Sequence, residues 1–362
     1  MARYLINRYR STGERIDVIT AMASLSATRV AGATGKLVFA LPYEKHFAES
    51  LEKGQEFTLF REGRLQFDTR YLFLDKRAFT DAQGIRFIEV YAEDLNRLAD
   101  TRIVAYHAGS PQADKTGCAD DLMKAIVREN MGALASAERQ IEGLTVEQDL
   151  SMARSVSKAF AWRSVGSVLA DIGDMTAKDA LPAYWDFHGG DVGAVRFSTY
   201  VGWFGEDRRP YGVSPVLVGE QFGSLQGATT EWVGRDEVTA VYAGGQGQED
   251  ERVIKIVTDE ERILKAYPYG RVETFMDARN VELEGSVEEQ AREALGEGKS
   301  IVRVSGQLIE TRGSRYDIDY RFGDFVTVES HGVSVDCMIK AVGLSMDATG
   351  ERIDVQLEGV LR

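Results

Sequence analysis

Two four-residue segments, "DAQG" at Asp81–Gly84 and "DATG" at Asp347–Gly350, share the pattern D-A-x-G. Each is followed one residue later by Arg and then by alternating apolar and polar residues. Upstream of each stands a pair of glycines at one shared interval, Gly54 with Gly63 and Gly323 with Gly332, enclosing a strand that ends in a turn. A strand module used twice in this way commits the chain to two similar antiparallel units, barrels or rolls, before any other residue is considered.

The segments around these turns carry strand signals. "EFTLFREGRLQF" alternates apolar residues on either side of "EG", and "RYLFLDKRAFTDAQGIRFIEVYAED" gives two strands about its turn. In "ERIDVQLEG", Ile353, Val355 and Leu357 face one way and Arg352, Asp354 and Gln356 the other. Helical spacing occurs in "ADDLMKAIVRENM", through Leu122, Met123, Ile126 and Val127, and in "SKAFAWRSVGSVLADIG", through Phe160, Val165, Val168, Leu169 and Ile172. "ALPAYWDFHGG" and "AVRFSTYVGWFG" read as strands, as do both sides of the Gly-rich turn in "EVTAVYAGGQGQEDERVIKIV". Ser286 and Glu289 form a capping-box pattern for one more helix near 286–296. The expected fold is mainly β with an α+β insertion: a first barrel-like module over 1–112, a mixed α/β domain over 113–195, and a second barrel-like module over 196–362 that contains the 286–296 helix.

Composition narrows the function classes. A formal charge of −14 argues against stable nucleic-acid binding, because Lys and Arg contacts to phosphate supply most of that affinity. Two distant cysteines, Cys118 and Cys337, make neither a disulfide framework nor a cysteine-rich zinc site. No apolar run reaches the roughly 18 residues of a membrane span, and "MARYLINRYRSTGER" lacks a signal-peptide core. Synthesis in a cytoplasm is the expectation.

Catalytic and cofactor patterns fail on spacing. "GEGKS" follows a helix, enters a strand and has Glu293 where a phosphate loop needs its first glycine; "GATGKL" and "AGGQGQED" fail likewise. His46, His107, His188 and His331 pair at no metal-ligand spacing, and neither H-E-x-x-H nor G-x-S-x-G occurs. No catalytic, cofactor-binding or metal residue is assigned. The rival to a structural role is a glycan-binding or glycan-hydrolysing protein, resting on the aromatic cluster around His188 in "YWDFHGGD" and on Asp317 and Asp319, which one strand face would bring within glycosidase range.

The stretch "RVETFMDARNVE" sets Arg271, Glu273, Asp277 and Arg279 alternately around Phe275, with Val272, Thr274, Met276 and Ala278 on the other face. Together with "VTAVYAGGQGQEDERV", "FREGRLQF", "EDLNRLADTRIV", "IVRENMG", "ERQIEGLTV" and the closing "YDIDYRFGDFVTVESHGVSVDCMIKAVGLSMDATGERIDVQLEG", it resembles the tail-hub family of siphovirus tail proteins, over nearly the whole chain. One departure is Asp68, where the family tends to have Gly after Phe67; it leaves that turn's conformation open. The resemblance implies a homotrimeric structural ring at the distal tail tip or baseplate of the virion. Such a ring closes the tail tube, organises distal tail, tape-measure and receptor-binding or fibre proteins, takes part in host attachment, and opens for DNA passage without cofactor. Arg271, Glu273, Asp277 and Arg279 are then expected at a subunit contact, or else in an intrachain salt-bridge network.

Overall fold

The glycine-bounded segments fold as their repeat predicts. The computed structural model describes residues 4–360 apart from 106–112, 161, 178, 180, 213, 248–251 and 279–283. The first part holds β1 (Tyr4–Tyr9), β2 (Arg15–Ile19), β3 (Ser24–Val30), β4 (Lys36–Pro42), α1 (Lys45–Ser50), β5 (Glu56–Arg61), β6 (Arg64–Leu65), β7 (Tyr71–Thr80) and β8 (Arg86–Asp94). The middle holds β9 (Ala113–Cys118), α2 (Ala119–Asn130), β10 (Leu144–Val146), β11 (Ser155–Phe160), α3 (Val165–Thr176), β12 (Ala183–His188) and β13 (Val195–Val201). There follow β14 (Leu217–Gly219), β15 (Leu225–Val233), β16 (Ala240–Gly244), β17 (Ile254–Thr258), α4 (Glu260–Lys265), β18 (Glu273–Asp277), α5 (Glu284–Glu297), β19 (Ile301–Leu308), β20 (Phe325–Ser330), β21 (Val333–Asp347) and β22 (Gly350–Val360).

Two sets of six strands are equivalent. One runs β3-β4-β8-β7-β5-β1 and the other β15-β19-β22-β21-β20-β14. Matching positions share backbone angles: φ is 89° at Gly54 and 87° at Gly323, 79° at Gly63 and 76° at Gly332, 50° at Glu62 and 51° at His331. Two successive residues at positive φ are what a tight hairpin turn of the primed kind demands, and glycine meets that demand without steric cost. The D-A-x-G turns share an Asp-to-backbone bond but differ in length, with residues 81–85 between paired strand ends in the first and 348–349 in the second. Asp81 Oδ1 accepts from Gln83 N at 2.9 Å and Ile85 N at 2.8 Å, and Asp347 Oδ1 accepts from Thr349 N at 2.7 Å. The sets differ at one edge, where β1 is antiparallel to β5 but β14 is parallel to β20.

Among the described residues the two expected barrel-like modules do not close as separate barrels: the hydrogen-bonded path is open, ending at β2 and β15. The reason lies in β21, whose register shifts between Ile339 and Ala341. Its first part pairs with β20, while Ala341–Met346 pairs with β3. The free side of β3 is thus occupied by the other half of the chain and cannot close its own half. A single hydrophobic core crosses the seam, from Phe39, Phe57 and Leu59 to Val326, Ile339 and Leu344.

In the middle part α2 and α3 pack with β12 and β13 through Met123, Ile126, Val168, Leu169, Phe187 and Phe197. The helix expected to include Phe160 begins later. Residues 155–160 pair with β9 as β11, and Ser164 starts α3 by accepting from Ser167 N at 3.1 Å, an N-cap bond. A smaller unit consists of the sheet β17-β16-β18, with β16 antiparallel to β17 and parallel to β18, and α5 on one face. Helix α5 already runs from Glu284, so Ser286 lies inside the helix and not at its cap.

Candidate functional site

Strand β18 carries the charge ladder, and its two faces differ as the alternation requires. Met276 and Ala278 join Val241, Ala243 and Val257 against Val287, Ala291 and Leu295 of α5. On the opposite face, pairing across the sheet aligns Ile256, Tyr242 and Phe275 in one row. No described element covers this row: Ile254 is 46%, Ile256 54% and Phe275 56% exposed. Burying such residues is worth about 1.5–3 kcal/mol per side chain, so the bare face is a surface with unused burial energy.

The charges around it are paired within the chain. Arg271 Nε donates to Glu273 Oε1 at 2.6 Å, and the Tyr242 hydroxyl lies 3.0 Å from Arg271 Nη2. The bond from Arg271 holds the Glu273 carboxyl below the usual carboxylate range. Asp277 is bound by Arg252 at 2.7 Å, whose guanidinium lies over the Phe275 ring, 5.1 Å from its centroid. Gly244 permits this, since a Cβ there would stand 2.6 Å from Arg252 Cζ. The structure therefore brings Arg271, Glu273 and Asp277 onto one face and adds Arg252, which the sequence reading missed. Arg279 lies outside the described residues.

The second group of candidates meets where the three parts of the chain join. Arg29 of β3, fully buried, bonds Asp94 at the end of β8 and Asp186 of β12. Asp94 also accepts from Gly35 N at 2.9 Å and Asn96 N at 3.0 Å, and Asn96 Oδ1 accepts from Phe187 N at 2.7 Å. Burial pushes the Asp94 carboxyl up to about 6 against the pull of Arg29, and burial raises Asp186 as well. A charged group shut away from water is tolerable only when paired in this manner.

Beside this joint, His188 Nε2 lies 2.8 Å from Ser198 Oγ and Nδ1 lies 3.3 Å from Asp68 Oδ2. The bond to His188 lowers the Asp68 carboxyl. Phe67 and Asp68 both take positive φ, 65° and 46°, so Asp68 adopts the left-handed backbone for which glycine is the usual choice. Asp317 and Asp319 do not share a strand face. Asp319 Oδ2 accepts from Arg315 N at 2.8 Å and turns the chain, Asp317 has φ of 66°, and each carboxylate is engaged elsewhere. Asp319 pairs with Arg315 at 3.0 Å, while Asp317 meets Arg321 at 3.4 Å and Gln66 Nε2 at 3.2 Å. Cys118, Asp120 and Asp121 also approach one another. The two carboxylates there are engaged by the backbone of residues 150–153.

The fold so described is that of phage tail proteins. The 43 kDa tail protein of prophage MuSo2 from Shewanella oneidensis superposes with a TM-score of 0.61 at 13% identity, over 98% of each chain. The tail protein from Neisseria meningitidis MC58 gives 0.59 at 11%, over 98% of this chain and 96% of that one. Prophage tail protein gp18 from Listeria monocytogenes EGD-e gives 0.54 at 10%, over 98% and 94%. The chain belongs to the siphovirus ReqiPepy6 Gp37-like protein family, whose model matches residues 7–357, in line with the resemblance drawn from its sequence. Among curated proteins none matches it.

Proposed function

We propose that the chain is a structural protein of a siphovirus tail, located at its distal tip or baseplate, where three copies form a ring that closes the tube and opens for DNA delivery. The observation that carries this reading is the pair of equivalent strand sets, β3-β4-β8-β7-β5-β1 and β15-β19-β22-β21-β20-β14, fused through β3 and β21 into one sheet. Three copies, each presenting two equivalent units, supply six units to a sixfold tube. Domains at 1–112, 113–195 and 196–362 would then be two tube-like modules flanking an insertion. Distal tail, tape-measure and receptor-binding or fibre proteins are the proposed neighbours. A net charge of −14 suits a passage that repels phosphate.

The bare face of the small sheet is the proposed contact between copies. Its apolar row would supply burial, and Arg271, Glu273, Asp277 and Arg279 would set register. Light scattering of the purified chain should give a trimer mass, and electron microscopy a threefold ring. Glu273→Arg combined with Asp277→Arg should lower that mass while leaving the circular dichroism spectrum unchanged. A trimer that persists in the double variant removes the contact, and a monomer at every concentration removes the ring. Glycan hydrolysis loses its support, because Asp317 and Asp319 form no facing pair.

A further inference from the structure

A cleft of about 520 Å³ opens at the joint between the three parts of the chain. Its size falls within the range of small-molecule sites, roughly 300–1,000 Å³. Aromatic rings from different parts line it. Tyr200 and Phe204 stack with centroids 4.3 Å apart, Phe322 stands 5.6 Å from Phe204, and Phe67 stands 6.2 Å from Phe322. Asp68, His188, Asp317, Arg64 and Arg321 share the cleft with them.

These polar groups are fixed in advance. Asp68 is held by His188, Asp317 by Gln66 and Arg321, and Arg64 donates to the Asp317 carbonyl oxygen. Phe67, Asp68 and Asp317 all hold positive φ around one opening, and backbone strain of this kind, about 1–3 kcal/mol per residue, persists only where the surroundings enforce it. Asp68, Asp186 and Asp317 line the cleft with Arg64 and Arg321, and Arg29 behind Asp186 supplies the third cation, so these charges balance. The cleft offers flat apolar rings beside planar groups that each accept or donate two hydrogen bonds.

We infer that this cleft is a saccharide-binding site: a neutral sugar of one or two rings would pack its C–H groups into the angle between Phe204 and Phe322, whose planes are 50° apart, and bond its hydroxyls to Asp68, Asp317 and Arg64. The site binds and does not cleave, since its three acidic side chains, Asp68, Asp186 and Asp317, are already engaged by His188, Arg29 and Arg321. It needs one copy of the chain and stands whether or not a ring forms.

The test uses the full chain with lactose, maltose and N,N′-diacetylchitobiose, followed by saturation-transfer NMR and calorimetry. At least one sugar should bind with a Kd in the millimolar range or tighter. Phe204→Ala, Asp68→Asn and Arg64→Gln should each weaken it by about tenfold, or about 1.4 kcal/mol. Asn tolerates the left-handed backbone at 68, and Arg64 is exposed, so these two variants decide the matter should Phe204→Ala fail to fold. Phe275→Ala, on the remote small sheet, should leave the affinity unchanged. No transfer to any of the three sugars at 10 mM, or affinity untouched by both Asp68→Asn and Arg64→Gln, overturns the inference.

Discussion

Replacing Arg29 by Met removes the cation from the joint and leaves its two carboxylates where they are. Asp94 keeps the backbone N–H groups of Gly35 and Asn96, so its negative charge stays partly satisfied. Asp186 loses the guanidinium that binds it in a site where its side chain is 8% exposed. Breaking a buried pair from one side costs about 3–5 kcal/mol, and that loss is expected in urea unfolding followed by tryptophan fluorescence near pH 7.5. The pH dependence adds a second check. The Asp94 carboxyl sits at about 6 in the folded chain against 3.8 for its ordinary value, so the folded state takes up a proton first. Its contribution is fully present below 3.8 and is lost as pH rises through about 6. The natural chain should therefore gain roughly 1 kcal/mol at this group between pH 7.5 and 5.5. The variant should gain more, because both carboxylates then lack their counter-charge and protonate earlier. Adding Asp94→Asn and Asp186→Asn to Arg29→Met should restore most of the loss. A deficit below about 1 kcal/mol at pH 7.5, or one that does not shrink at pH 5.5, would refute the account of the joint.

The duplication makes two paired predictions. Asp81→Ala and Asp347→Ala each delete the side-chain oxygen that accepts from the backbone of the same turn, and each should cost about 1 kcal/mol in urea unfolding; a difference above about 1 kcal/mol between them would deny the equivalence. Gly63→Ala and Gly332→Ala meet no atom within 4 Å of the added Cβ, so their loss, about 1–2 kcal/mol each, is a backbone effect alone. Unfolding midpoints that do not move would show the left-handed turn to be unnecessary.

How much of this was legible in the sequence depended on whether a feature was local. Strands β7, β8, β21 and β22 follow from alternation bounded by glycines and Asp turns, because turn chemistry and side-chain parity are settled within a few residues. Barrel closure was not legible, since the partner of β3 is chosen between a local strand and one more than three hundred residues away, and nothing in "SLSATRV" favours either. The pairing of Asp317 and Asp319 failed on a left-handed residue that alternation cannot reveal. The Arg29 joint had one overlooked signal. Arg29 shares its strand face with Leu25 and Ala27, both buried, and a cation on an apolar face implies buried acidic partners, though not which ones.

The small sheet separates two forces that are often confounded at a protein contact. In the free chain Arg271 and Glu273, and Arg252 and Asp277, already neutralise one another, so a neighbour gains little Coulomb energy from meeting them. The apolar surface of Ile256, Tyr242 and Phe275 is left largely open among the described residues, although Arg252 lies over the Phe275 ring and the Tyr242 hydroxyl bonds Arg271. At the proposed contact burial would drive association, while the paired charges would select the register by making misplaced neighbours face like charge. Reversing Glu273 and Asp277 sets Arg271 and Arg252 against like charges in the free chain too, but on an exposed face where water screens the repulsion. Loss of assembly with an intact monomer therefore reports on selection, and Phe275→Ala reports on drive. Salt distinguishes them further: screening should narrow the gap between the charge-reversed and natural chains and leave the Phe275→Ala deficit in place.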